Sequence, residues 1–365
     1  VFAIEQKLWS IERKIRNISG INTEALITTA WASSASVMQI KNNEAFLDFL
    51  ILGNKAGVFC MTNQDQKYVE FLVNPDELRM NINKLSFICE RSIFGTSDGE
   101  RATHDINHLL EKIYNFIIAP TEGLIEGRDL IILLEGEYFQ VPFPALKNKA
   151  GCYLRDSRNI HLISDPSDLL RRNRHISGFR AGSNSVFAAG GARLSSIDIE
   201  AREIGAIFDK SKVYMGSAAS RKNLLAEVEK TSGFLHIAAH ASRSSENPLF
   251  SKILLDDGPF FPFDLYGMGL KPFLVTLSGC HTAAPGLYYG DSYSLAKVFY
   301  QAGTRYVLAS IWPVSDRVSM LFMISFYKSL RENKEISRAY RDAVDATIKL
   351  VDNPAHWGSF ILLGL

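Results

Sequence analysis

Apolar residues at Ile4, Leu8, Ile11, Ile15 and Ile18 recur at steps of three and four, which predicts a helix near the start of the chain with one apolar stripe. With Phe2, that stripe is expected to pack on the chain's own N-terminal region or else on an element upstream of it. Residues 46–52, 58–62 and 68–73 are rich in aromatic and β-branched side chains, and the turn formers Gly53, Asn54 and Gly57 separate the first two. They predict a small antiparallel meander. Residues 75–118 carry a mostly helical pattern, and Pro120, Thr121, Glu122 and Gly123 then punctuate the chain as a connection between subdomains.

From Asp129 onward, short apolar runs alternate with amphipathic segments, the rhythm of a parallel sheet covered by helices. The runs at 130–134, 185–189, 234–239, 273–278, 306–311 and 360–363 predict six strands of one sheet. Helical patterns fall at 195–208, 219–230, 291–302 and 316–351, the last expected as two helices broken near Asn333. The expected organisation is a smaller α+β N-terminal subdomain over 1–125 and an α/β domain over 126–365.

Composition narrows the function classes. With 365 residues, 47% of them hydrophobic, the chain has the means to bury about two cores at a typical ~150 residues per domain. Forty Lys and Arg against 39 Asp and Glu leave a net charge of +1, so no global field draws it to nucleic acid or to an anionic membrane. The cluster Arg171, Arg172, Arg174 and Arg180 reads as a solvated helix face and loop. No apolar run approaches the ~18 residues of a membrane helix. Glu5, Lys7, Glu12 and Arg13 are foreign to a secretory signal. Four cysteines, at 60, 89, 152 and 280, are too sparse for a disulfide scaffold, so a reducing, cytoplasmic setting is expected. The start at Val1 points to a domain cut from a longer protein.

Chemistry in open α/β sheets collects at the carboxyl ends of strands. The run 234–239 ends at His240, and the run 273–279 ends at Cys280. On neighbouring strands ~4.8 Å apart, an imidazole and a thiol at these ends would converge on one substrate carbonyl. Gly279, without a side chain, would let a substrate backbone come close. On these residues alone two roles stay open for each: Cys280 as buried hydrophobe or nucleophile, and His240 as hydrogen-bonded structural residue or proton-transfer group. His236, His240, Cys280 and His281 also raise a metal site. On a strand, however, positions i and i+4 stand ~13 Å apart, too far to share one ion. His281 is taken as structural or as a wall of the site.

Several segments in order resemble the CHAT domain, the caspase-like peptidase domain often found beside tetratricopeptide repeats and related to separase. They are LIILLEGEYFQVPFPAL at 130–146, SDPSDLL at 164–170, HIAAH at 236–240 with NPL at 247–249, and LSGCHTA at 277–283. Gly290 with Asp291, Ala302 with Gly303, SIWPVSD at 310–316, Phe326 with Tyr327, and WGSFILLG at 357–364 follow. The resemblance is firm over 129–365 and weaker before it.

The resemblance implies a caspase-like, mostly parallel sheet flanked by helices, and a cysteine endopeptidase with Cys280 as nucleophile and His240 as its dyad partner. The oxyanion would be held by the backbone N–H groups of Cys280 and Ala241; many relatives have glycine at the latter position, but an alanine N–H donates equally well. No metal and no organic cofactor is implied. The expected partners are a protein substrate, of a gasdermin-like or CRISPR-associated class, and an upstream repeat or sensor region that controls cleavage, in bacterial immunity among other settings. A catalytically latent scaffold or interaction module is the rival expectation. For the substrate pocket the acidic candidates are Asp316 and Asp291, favouring Arg or Lys before the scissile bond, because separase carries an acidic residue in the segment similar to Asp316 and cuts after arginine. Each also stands where an N-cap would open the following helix.

Overall fold

The computed structural model describes residues 40–52, 54–94, 99–171, 179, 182–190, 196–244, 247, 250–284, 286–288 and 291–365. The stripe from Ile4 to Ile18 lies outside the described residues, as do Arg172, Arg174 and Arg180 of the basic cluster. Arg171 ends a short helix, Ser167–Arg171.

The meander forms as β1 (Glu44–Leu52), β2 (Lys55–Met61) and β3 (Gln66–Glu70), paired antiparallel. Two long helices follow, α1 (Pro75–Phe94) and α2 (Gly99–Ile117), and then β4 (Asp129–Leu133) and β5 (Ile160–Ile163). Next come β6 (Ser185–Ala189), α3 (Ser196–Ile207), β7 (Lys212–Met215), α4 (Arg221–Val228) and β8 (Phe234–Ala239). A side sheet of β9 (Ala241–Ser242), β10 (Lys252–Leu255) and β11 (Gly258–Phe260) leads into β12 (Leu274–Ser278). The hairpin β13 (Gly286–Tyr288) with β14 (Asp291–Tyr293) precedes α5 (Leu295–Gln301) and β15 (Tyr306–Ser310). The helices α6 (Asp316–Arg331) and α7 (Ile336–Leu350), and finally β16 (Phe360–Leu363), close the chain.

The main sheet has eleven strands, in the order β3-β2-β1-β4-β5-β16-β15-β12-β8-β6-β7, rather than the six expected. All six expected strands are in it. The additions are the meander and the strands β5 and β7. The meander is no separate sheet: β1 lies parallel to β4, with Phe46 opposite Ile131, so backbone hydrogen bonding runs across the boundary expected at 125. Pairing is parallel from β1 through β16 and from β15 through β7; the two blocks meet antiparallel at β15 and β16.

Every residue of β8 and β12 is buried, the reason both read as continuous apolar runs. The two strands are parallel and in register, Thr276 opposite His236 and Ser278 opposite Ala238. On the face that carries these residues lie α3 and α6. The break between α6 and α7 falls at Asn333, whose φ of 58° ends the helix in the left-handed region that asparagine tolerates. Among the described residues no helix is long and apolar enough to cross a membrane.

Candidate active site

Side chains alternate along a strand, so His236, Ala238 and His240 share one face, as do Thr276, Ser278 and Cys280. Pairing in register stacks them as rungs that climb to the carboxyl edge. The lowest rung is fully buried: His236 Nδ1 lies 2.7 Å from Thr276 Oγ1, which meets the Tyr327 hydroxyl at 2.5 Å, while His236 Nε2 lies 3.0 Å from Glu200 Oε1. The middle rung is Ser278, hydrogen-bonded at 3.0 Å to Ser319 of α6. At the top, two residues beyond the last paired residues of the strands, Ser278 and Ala238, come His240 and Cys280. One cavity descends from them; it is lined by His240 and Cys280 together with Glu200, Ile197, Ala239, Ser278, Gly279, Ser310, Val314, Asp316, Ser319 and Phe360.

Cys280 is half-buried and His240 exposed. Burial pushes the Cys280 thiol up, and the carboxylates of Asp316 and Glu90 push the same way; backbone N–H groups of Val314 and of Cys280 itself oppose them. The turn after the thiol is tightly pinned. Gly279 O accepts from Ser310 Oγ at 2.8 Å and Thr282 Oγ1 at 3.2 Å, and Thr282 Oγ1 in turn accepts from Ser310 N. His281 takes a φ of 57°, a backbone conformation that a non-glycine residue adopts only where its surroundings hold it. Its Nδ1 lies 3.9 Å from Glu90 Oε1 of α1, and burial pushes its imidazole below the ordinary value.

Ala241 opens β9 opposite Ile253. Because Leu254 N donates to His240 O, the antiparallel alternation makes Ala241 and Ile253 a non-hydrogen-bonded pair and turns the Ala241 N–H away from β10. That leaves the donor outside the small sheet.

Gly279 has a different reason from the one expected. A Cβ there would stand 2.5 Å from the carbonyl oxygen of Ala239, so the missing side chain makes room for the neighbouring strand rather than for a substrate. Gly279→Ala is therefore expected to cost about 1–3 kcal/mol of stability by denaturant unfolding, as an overpacked contact does. Unchanged stability would show that the strands yield freely.

Asp316 lines the cavity and is exposed, but it does not cap α6. The cap is Ser315, whose hydroxyl accepts from Val318 N at 3.4 Å, and Asp316 is the first helical residue. Asp291 likewise does not cap α5, which starts at Leu295 under Ser294, with Lys297 N on the serine hydroxyl. Asp291 instead pairs with Tyr288 in the β13–β14 hairpin, and its side chain lies outside the described residues. Among the described residues no group of three or more His, Cys, Asp or Glu is placed to hold a metal ion.

The cavity residue that sequence reasoning missed is Glu200. Its signal was present: in α3 the residues facing the core are Ile197, Glu200, Ala201 and Ile204, and a carboxyl on that stripe demands a reason.

Residues 107–365 match the CHAT domain family. Tetratricopeptide repeat protein 28 of Homo sapiens and that of Mus musculus are each 22% identical to the chain, over 323 and 321 residues, with 70% of this chain and 13% of the relative covered. The chain thus spans a small part of those relatives' length. A chain of the Saccharomyces cerevisiae separase–securin complex superposes with a TM-score of 0.65 at 10% identity, covering 97% of this chain and 33% of that one, a likeness of fold. The main sheet with its covering helices is accordingly the separase and caspase-like fold. The family match runs over well more than half of the sequence and takes in both His240 and Cys280: the chain belongs to the CHAT domain family.

Proposed function

We propose that the chain is a cysteine endopeptidase acting on a protein substrate, with Cys280 as nucleophile and His240 as proton-transfer group. The observation that carries this reading is the parallel register of β8 and β12, which brings both residues to one sheet edge and one cavity. The thiol gives its proton to His240 as sulfur bonds to the scissile carbonyl carbon; the oxyanion receives N–H from Ala241 and Cys280. His240 then passes the proton to the leaving amine as the C–N bond breaks, and water hydrolyses the thioester. No step calls for a metal or an organic cofactor. Asp316 and Asp291 are the acidic candidates for the substrate pocket, favouring Arg or Lys before the scissile bond. Control by an upstream repeat or sensor region is supported by the repeats in the name of the curated relatives. A gasdermin-like or CRISPR-associated substrate, in bacterial immunity, rests on the family resemblance alone.

A second reading, a latent module, is favoured by one feature: burial pushes the Cys280 thiol up, which lowers its share of reactive thiolate. A peptidyl acyloxymethyl-ketone probe decides between them. In a Cys152→Ser background, which removes the exposed thiol, it is expected to label Cys280 stoichiometrically and only with His240 in place. Cys60, pushed up to about 12 by burial, and Cys89, pushed well above the ordinary value, stay silent. No labelling, or labelling indifferent to His240→Ala, would turn the reading to the latent module. Simple alkylation of Cys280 by iodoacetamide is expected to be slow at neutral pH and still accelerating at pH 9.0, because a raised thiol supplies less thiolate there. A plateau near neutrality would show a preformed thiolate instead.

A further inference from the structure

Given the peptidase reading, on which this step rests, we infer that Glu200 is the specificity-determining acid of the substrate cavity and receives the cationic side chain of an Arg or Lys preceding the scissile bond. Glu200 is 2% exposed, lines the cavity, and its Oε1 has no hydrogen-bond partner. His236 Nε2 stands 3.0 Å away, yet the two make no hydrogen bond. A buried carboxyl oxygen without a donor is costly in the empty protein and is relieved by a ligand that brings one.

One cavity is lined by both Cys280 and Glu200, with Ser278 and Ser319 between them. An Arg or Lys whose carbonyl sits at Cys280 would send its long cationic side chain down that cavity toward Glu200. Ile197, Val314 and Phe360 offer apolar wall to the methylene stem, while Ser278, Ser310 and Ser319 offer hydroxyls beside it. Asp316, exposed at the start of α6, stands at the mouth and adds attraction without reaching the floor. An acidic side chain would meet two carboxyls, and a large apolar one would seal Glu200 away unpaired. His236 acts as a positioning residue. Its Nδ1 is tied to Thr276 Oγ1, which is tied to the Tyr327 hydroxyl, so the ring is fixed with Nε2 3.0 Å from Glu200 Oε1 and borders the carboxyl from below.

The test is peptide-library profiling of the intact chain and of Glu200→Gln. The wild type is expected to cut after Arg or Lys, and Glu200→Gln to lower kcat/KM for those peptides by about 10²-fold or more while leaving a norleucine peptide nearly unchanged. Cleavage after neutral or acidic residues, or a basic preference that survives Glu200→Gln and falls with Asp316→Asn, overturns the assignment and leaves the peptidase reading standing. A binding measurement needs neither turnover nor a folded variant. Butylguanidinium should protect Cys280 of the wild type from iodoacetamide, and neutral butylurea should not. Equal protection by both, or by neither, overturns the assignment even if no peptide is cut, the outcome that would count against the peptidase reading itself.

Discussion

Replacing His240 by alanine is expected to lower kcat/KM on a cleaved peptide by about 10²–10⁴-fold, the usual contribution of a positioned proton-transfer group. Cys280→Ala should fall further, to the background left by the oxyanion donors and by binding, because no covalent intermediate can form. The double variant should be no worse than Cys280→Ala, since the two side chains act as one unit and their effects do not multiply. Both sites are at least partly open to solvent, so each variant should keep its unfolding free energy to within about 0.5 kcal/mol. A His240→Ala protein at wild-type rate, with activity lost instead in His281→Ala, would move the proton-transfer role to the neighbouring imidazole. The structure gives His281 other work: its left-handed backbone turns the chain after the thiol, and its ring is engaged with Glu90 of α1.

How much of this was legible follows from burial and from distance along the chain. Strands β8 and β12 could be read because helices cover both faces and every position but His236 is apolar or small; β6, β15 and β16 were legible for the same reason. By contrast, β7 is exposed or half-buried throughout, and the four residues of β5 leave only Leu162 and Ile163 buried, so neither carries the pattern that marks a strand. The meander was visible, but its attachment was not: the pairing of β1 with β4 joins Phe46 to Ile131, a contact that no local pattern encodes. His240 and Cys280 could be singled out because each ends an apolar run, and the parallel register supplied what the sequence lacked, that the two runs are neighbours. The helix caps were displaced by one residue at Ser315 and by three at Ser294. In both places a serine stands between the aspartate and the helix, or next to it, and serine caps as well as aspartate does. Glu200 was overlooked because its chemistry depends on what a helix packs against, and a helical period shows only that it packs.

The rung beneath the site should be the most sensitive polar feature of the fold. Thr276→Val keeps shape and burial while removing the hydroxyl that links His236 to Tyr327, all three residues being fully buried. It leaves the Tyr327 hydroxyl and His236 Nδ1 without partners, at about 1–3 kcal/mol each, so a total loss of about 2–6 kcal/mol is expected. In urea unfolding this would appear as a lowered midpoint with an unchanged slope. Adding Tyr327→Phe should recover part of the loss, because it removes one of the two stranded groups, whereas independent contacts would make the double variant worse than either single one. A Thr276→Val protein within about 0.5 kcal/mol of wild type would mean that the rung is replaceable packing. The rung also bears on selectivity. If His236 loses its anchor, Glu200 loses the fixed ring that borders it from below, and discrimination for Arg or Lys should weaken in Thr276→Val at temperatures where the protein is still folded. The rate on a norleucine peptide should move much less, since His240 and Cys280 stand two rungs higher on the same strands.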